Sequence, residues 1–505
     1  MFSVFSSLLT GRCGDLLALI AGLLLPFAFA PYGLFPLAVI SQALLYMLWR
    51  KVSPRRGFWL GWLYGLGMFG AGVYWVQISI HQFGLPVLAF SVSMTVLFVA
   101  FLALYPALTG WGVARLAATG RARHFLWICP VAWTLVEWLR GWLFTGFPWL
   151  DLGYSQIDSP LRGYAPVFGV YGITLLTAIS GGALLCLPRR PLSTLILLVA
   201  VWAGGGLLAG HDWTRPAGAP FKVALLQGGI AQSVKWDPAQ RDATIKHYLK
   251  LSAGQWDSRL IVWPETAVPA FYTQMRPFLA ALTQRALATG TDVLIGLPYD
   301  EEADHRGRYY NSIMSIGATP GRYDKRHLVP FGEYLPFDAW LRPMLDFLKI
   351  PMSDFSAGTH DPVTLTAAGI PVGVSICYED AFGEEVARAL PAAELLVNVS
   401  DDAWFGDSVA PHQHLQMARM RALETGRYLL RATNDGITAI IKPSGKIAAR
   451  APQFVAYTLV GEAQARTGST PYVIWGNRLI VGLLLLAGIA MVLVAWRARL
   501  ALTSR

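Results

Sequence analysis

The chain has 505 residues, of which 54% are hydrophobic and only 14% charged. Soluble domains carry about 25% charged residues, so the composition excludes a large soluble enzyme and points to a membrane protein with a sizeable polar part. The formal charge of +10 is no nucleic-acid signal, because the arginines cluster at the ends of apolar runs, where the positive-inside rule puts them.

Seven apolar runs come first, at 16–30, 34–49, 57–80, 85–113, 125–144, 164–187 and 192–210, and an eighth lies at 479–496. Each is near the ~20 residues that cross a bilayer, and the second is the shortest fit. Ala28-Phe29-Ala30 mimics a signal-peptide cleavage site, but Pro31 and the immediate second run favour an uncleaved first span. The expected organisation is therefore a helical membrane domain at 1–215, a polar domain at 216–465 and a last helix with its tail at 466–505.

The loop charges give an orientation. Arg12, the group Arg50, Lys51, Arg55 and Arg56, the group Arg115, Arg121 and Arg123, the pair Arg189 and Arg190, and Arg497, Arg499 and Arg505 all fall on one side of an eight-span chain. That side is cytoplasmic, which puts the polar domain in the periplasm of a bacterium. Inside the fifth run, Glu137 and Arg140 share a helix face at i, i+3, where they could pair. A structural role fits them better than a functional one, since they lie towards the end of the run.

From 221 the pattern changes to short apolar runs alternating with helical stretches. Strands are expected at 222–227, 259–263, 292–297, 311–316, 371–376, 394–399 and 437–441, and helices at 274–289 and 414–424. This alternation indicates an α/β layered domain. No glycine-rich phosphate loop follows a strand. His412 and His414 lack metal-ligand spacing and read as ordinary polar contacts. Cys13, Cys129 and Cys186 lie in or beside apolar runs, so Cys377 stands alone in the polar domain and no disulfide framework is available there.

Three segments carry chemistry. Trp263-Pro264-Glu265 ends a strand in a carboxylate, Tyr323-Asp324-Lys325 offers an amine, and Ile376-Cys377-Tyr378-Glu379 ends another strand in a thiol. These suffice for acyl transfer: the thiol attacks a carbonyl, Glu265 takes its proton, and Lys325 supports the oxyanion. A small buried core cysteine is the competing reading of Cys377, and any domain of this size offers some Glu, Lys and Cys.

The three segments, in this order, resemble the nitrilase superfamily, as does Asn398-Val399-Ser400-Asp401-Asp402-Ala403-Trp404-Phe405-Gly406 after the nucleophile. With the flanking apolar runs, with Thr145 to Leu150 and Ser155 to Asp158, and with Lys235-Trp236-Asp237-Pro238, the whole chain resembles the membrane-bound branch of that superfamily that N-acylates bacterial lipoproteins. The resemblance implies a four-layer α-β-β-α sandwich beside a polytopic helical membrane domain, and a Glu265, Lys325, Cys377 triad. It implies supporting roles for Glu333, Glu379, Tyr378 and Trp236. It further implies a ping-pong transfer from a phospholipid, typically phosphatidylethanolamine, to the N-terminal amine of a diacylglyceryl-cysteine lipoprotein. A monomer in the inner membrane, using no metal or cofactor, is expected.

The segment 340–355 places Leu341, Met344, Leu345 and Leu348 at i, i+3, i+4 and i+7, the pattern of an amphipathic helix. It reads equally as an interfacial lid over the thiol or as a core-facing helix. Two other function classes remain: a membrane-anchored amidase that hydrolyses a small periplasmic substrate, and a transporter with a binding domain. Against the transporter, the spans show no internal repeat and few ionisable residues beyond Glu137 and Arg140.

Overall fold

Alternating side chains sort the polar half into layers. The computed structural model describes residues 11–116, 122–300, 307–348, 354–359 and 364–503. Its strands are β1 (Arg215–Pro216), β2 (Phe221–Gln227), β3 (Leu260–Val262), β4 (Asp292–Asp300), β5 (Tyr309–Ile316), β6 (Gly321–Asp324), β7 (Thr364–Ala367), β8 (Ile370–Ile376), β9 (Leu395–Ser400), β10 (Leu429–Thr433), β11 (Ala439–Ile441), β12 (Ile447–Arg450), β13 (Tyr457–Ala463) and β14 (Arg466–Thr467). Two six-stranded sheets form, ordered β13-β2-β3-β4-β5-β6 and β12-β11-β10-β9-β8-β7, with β1 and β14 as a separate pair. In each, a parallel centre (β2-β3-β4 and β8-β9-β10) carries antiparallel edges.

Side chains on a strand alternate between faces, and the burial follows. Val223, Leu225, Leu260, Val262 and Leu294 pack with Val372, Val374, Ile376 and Val397 of the other sheet. Their neighbours Ala224, Leu226, Ile261, Trp263 and Val293 pack outward on Ile245, Met275, Leu279 and Leu282, from the helices Arg241–Ser252 and Tyr272–Thr289. The second sheet is covered by Leu415, Ala418 and Ala422 of the helix Ala410–Thr425. The result is the four-layer α-β-β-α sandwich.

The sequence reading misses strands β6, β7, β10, β12 and β13 and the helix Arg241–Ser252. In β10 the reason is Arg431, a fully buried cation that interrupts an apolar run and hides its strand pattern.

The other unit is all helix. Helices stand at each of the eight apolar runs: Arg12–Leu24, Pro36–Leu48, Pro54–Gly72 with Val76–Phe83, Leu88–Leu102 with Leu104–Leu116, Ala122–Arg140, Ala165–Cys186, Pro191–Leu208 and Arg478–Thr503. Among the described residues, four helical segments are by themselves long and apolar enough to cross a bilayer, or five if a pair bent by 57° counts as one span. Those at the first two runs have 13 residues each, about 20 Å at 1.5 Å per residue. Leu192, Ile196 and Leu207 stand largely exposed on the helix Pro191–Leu208, as a lipid-facing surface would. Small residues bring backbones together: a Cβ on Gly61 would lie 2.3 Å from the Pro106 carbonyl oxygen, and one on Gly22 2.0 Å from that of Tyr64.

The bent pair is the third run. After the break at Gly72, the stretch Ile78–Val87 groups with Asp212–Ile474 as one compact unit, whereas the sequence reading divided it among the end of the third run, a loop and the start of the fourth. There the Ser79 hydroxyl donates to the Trp404 carbonyl at 2.6 Å, and the Phe83 ring meets Trp404 edge-on at 4.5 Å.

Glu137 and Arg140 are buried, but Arg140 forms its ion pair with Asp151, at 2.7 Å. It also donates to the carbonyls of Phe147, at 2.8 Å, and of Trp149. Glu137 accepts from Trp133 Nε1 at 2.7 Å, from the Thr174 hydroxyl at 2.9 Å and from the Leu152 amide. The expected i, i+3 pair is thus replaced by two anchors for the turn at 147–152, because that turn has backbone groups to satisfy and the helix face does not. Replacing Arg140 by Ala removes the buried ion pair to Asp151 and both carbonyl contacts, so the detergent-solubilised protein is expected to lose about 3–5 kcal/mol. An unchanged thermal midpoint would refute the anchoring role.

Candidate active site

Each of the three chemistry-bearing residues follows a strand. Trp263, wholly buried and stacked on Tyr248 at 5.2 Å, leads through Pro264 to Glu265. The exit is tight: a Cβ on Gly296 of β4 would lie 2.9 Å from the Glu265 Cα. Lys325 follows β6. Its amide donates to the Asn311 carbonyl and its own carbonyl accepts from the Gly358 amide, each at 2.8 Å. Cys377 follows β8 with φ at 51°, a left-handed conformation that is rare for a residue with a side chain.

The first two meet in a buried polar cluster. Lys325 Nζ lies 2.8 Å from the Glu333 carboxylate and 3.7 Å from Glu265 Oε1. Asn311 Nδ2 donates to Glu265 Oε1 at 2.7 Å and to Glu333 Oε1 at 3.0 Å. Burial raises the Glu265 pKa, with Lys325 opposing and Glu333 and Asp401 adding to the rise. Burial works against the Lys325 ammonium, but Glu333 and Glu265 more than reverse this and its pKa is raised. The Cys377 thiol is pushed well up, first by burial and then by the Glu265 charge, while Lys325 and a hydrogen bond with Ser400 pull it down. A buried thiol, a carboxylate of raised pKa and an ammonium can together move a proton off sulfur and hold charge on an adjacent oxygen.

Comparison with known proteins supplies the family. Residues 21–183 match the family model described as the apolipoprotein N-acyltransferase N-terminal domain, and residues 222–472 match the carbon-nitrogen hydrolase model. Proteins named apolipoprotein N-acyltransferase from Methylococcus capsulatus and Nitrosomonas europaea are similar along nearly the whole chain. The first is 50% identical over 96% of this chain and 96% of its own; the second is 48% identical over 91% and 94%. The chain belongs to the apolipoprotein N-acyltransferase family. A similarly named protein from Pseudomonas aeruginosa is 42% identical over 96% of each chain. An amidase of the nitrilase superfamily from Nesterenkonia AN1 overlays 51% of this chain and 95% of its own, at 20% identity and a TM-score of 0.37.

In this member of the apolipoprotein N-acyltransferase family the four other expected residues take different places. Glu333 joins the cluster and also accepts from the Val329 amide at 2.9 Å, tying the loop after β6. Glu379 is buried and takes four donors: the Tyr323 hydroxyl at 2.8 Å, the amides of Arg326 and His327 at 2.7 and 3.2 Å, and the Ile376 amide at 2.7 Å. It therefore joins the lysine loop to the residue before Cys377, and burial raises its pKa despite those bonds. Tyr378 is buried, its ring edge-on to Phe382 at 5.0 Å. Trp236 is 47% exposed and ends the short helix Gln232–Lys235.

Sequence reasoning passed over several residues of this site. Asn311 bridges both carboxylates and was legible only as the polar first residue of the strand read at 311–316. Lys235, buried beside the singled-out Trp236, pairs with Asp401 and donates to the Glu265 carbonyl at 3.1 Å. His414, expected as an ordinary polar contact, is clamped between Asp380 and Asp402 at 2.8 and 2.9 Å.

The helix Asp338–Leu348 stands where the amphipathic pattern was read, with Trp340 87% exposed beside exposed Phe337 and Phe331. The side chains of Met344, Leu345 and Leu348, and residues 349–353, lie outside the described residues, so the lid or core reading of that face stays an expectation. Residues 117–121 and 504–505, with Arg121 and Arg505, lie outside them too, as do the side chains of Arg123 and Arg499.

Activity that needs ionised Glu265 is lost as pH falls through its pKa. Because burial raises that pKa, the acid limb of the rate profile is expected above the ordinary value of 4.5. A limb at or below 4.5 would show that burial does not govern the base.

Proposed function

We propose that this chain, an acyltransferase by family, moves an acyl chain from a membrane phospholipid to the N-terminal amine of a diacylglyceryl-cysteine lipoprotein, the last step of lipoprotein maturation. The carrying observation is the buried Glu265, Lys325 and Cys377 cluster in a chain whose other half is apolar helix. Glu265 takes the thiol proton and Cys377 sulfur attacks the ester carbonyl of the donor, for which phosphatidylethanolamine is the candidate. Lys325 Nζ supports the resulting oxyanion. The intermediate collapses with breakage of the C–O bond, Glu265 returns its proton to the departing oxygen, and lysophospholipid leaves a thioester on Cys377. The free α-amine of the acceptor then attacks the thioester carbonyl and gives a proton to Glu265. The C–S bond breaks, an amide is released, and the thiol is reprotonated. Burial of all three side chains favours the amine over water as the second nucleophile.

Our reading has eight spans with the catalytic unit in the periplasm, and the arginine-rich loops support it by the positive-inside rule. Glu333 supports the Lys325 charge, Glu379 holds the lysine loop against β8, and Tyr378 and Trp236 are assigned supporting roles, the first buried beside Cys377 and the second exposed. A monomer suffices, since one chain carries the whole triad.

Initial rates with phospholipid and a diacylglyceryl-cysteine peptide are expected to give parallel double-reciprocal lines, as a ping-pong exchange requires. Intersecting lines would exclude the acyl-enzyme route. Ammonia release from small amides, with no peptide acylation, would support a membrane-anchored amidase instead.

A further inference from the structure

Beneath Cys377 lies a second buried charge cluster that the reaction does not use directly. His414 Nδ1 faces Asp402 Oδ1 at 2.9 Å, and Nε2 faces Asp380 Oδ1 at 2.8 Å and the Cys377 carbonyl at 3.1 Å. Arg431, from β10, reaches Asp380 at 2.9 Å, Asp402 at 3.0 Å and Asn398 Oδ1 at 2.5 Å, and passes 2.9 Å from His414 Nδ1. His414, Arg431, Asp380 and Asp402 are all essentially without solvent contact.

Two features of this cluster point to the nucleophile. Nε2 faces two acceptors, the Asp380 carboxylate and the Cys377 carbonyl, and so carries an N–H. Nδ1 lies between the Asp402 carboxylate and the Arg431 guanidinium, where a second proton, giving the imidazolium, answers Asp402. With that proton the four groups balance at two positive and two negative charges; without it a surplus anion is left in a water-free place. The other feature is backbone conformation. Cys377 is held at φ 51°, and such a conformation persists only where neighbours fix it. Its carbonyl receives His414 Nε2 and, at 3.4 Å, Asn398 Nδ2.

We propose that His414 is a positioning residue for the nucleophile: as an imidazolium it donates from Nε2 to the Cys377 carbonyl, fixes that left-handed turn, and sets a positive charge under the forming thiolate. This rests on Cys377 being the nucleophile. The electrostatics run the same way. Burial and Arg431 push the His414 pKa down, but Asp380 and Asp402 outweigh them and bring it to about 9. Burial raises Asp402, yet Arg431 and His414 together hold it well below the usual carboxylate range.

The test follows alkylation of Cys377 by iodoacetamide on the full chain in detergent micelles, from pH 6 to 10. It is read by peptide mass, with the Cys13, Cys129 and Cys186 peptides as internal references. His414→Leu is expected to slow alkylation of Cys377 at pH 7 about tenfold and move its profile to higher pH, as about one unit of thiol pKa would. His414→Gln, which keeps a donor but no charge, is expected between the two. Wild-type rate and profile in both variants would overturn the proposal. If the leucine variant fails to fold, the glutamine variant decides alone, since a profile matching wild type refutes the charge. A chain that never forms a Cys377 thioester would refute the nucleophile assignment and the positioning role with it, whereas a Cys377 thioester on a thiol indifferent to His414 would refute the positioning role alone.

Discussion

One buried ammonium sets the terms of this site. Lys325 stands against Glu333 at 2.8 Å and Glu265 at 3.7 Å, and unit charges 4 Å apart attract by about 4 kcal/mol at an effective dielectric of 20. Without Lys325, two carboxylates bridged by one amide could not both stay ionised in so little water. With it, Glu333 is tied up by the lysine and a backbone amide, and Glu265 is the carboxylate to which the proposed reaction gives the thiol proton. Burial raises the pKa of the Cys377 thiol and of Glu265 alike, so in the proposed reaction base and acid shift together.

The sandwich exists to bring three strand ends together. Glu265, Lys325 and Cys377 follow β3, β6 and β8, and their separation along the chain gives no local reason to meet. The loops are bound by the same polar side chains that shape the site. Glu379 joins the lysine loop to β8 through four donors, and Lys235 holds the Glu265 carbonyl. Support and chemistry are therefore interleaved, which is why so many charged side chains here are buried.

Much of this was legible in the sequence, and the misses share a cause. Short apolar runs ending in a polar residue mark strands, so β3, β8 and β9 could be read, along with Glu265 and Cys377 at two of their ends. β10 could not, because Arg431 breaks its apolar pattern, and with it went the His414 cluster. In the helical unit the apolar runs were plain, but spacing on one helix paired Glu137 with Arg140, while the structure pairs Arg140 with Asp151. Local periodicity sees neighbours on an element; it is blind to a turn that folds back from beyond the helix. The bend after Gly72, beyond which Ile78–Val87 groups with Asp212–Ile474, was hidden within an unbroken apolar run for the same reason.

The central claim is that Cys377 carries the acyl chain, and donor alone tests it. The purified chain, incubated with phosphatidylethanolamine without acceptor and then mapped by peptide mass, should show one acyl-sized gain on the Cys377 peptide. That gain should be released by neutral hydroxylamine and be absent from Glu265→Gln. An acyl group found elsewhere, or lysophospholipid released with Cys377 unmodified throughout, would contradict the account.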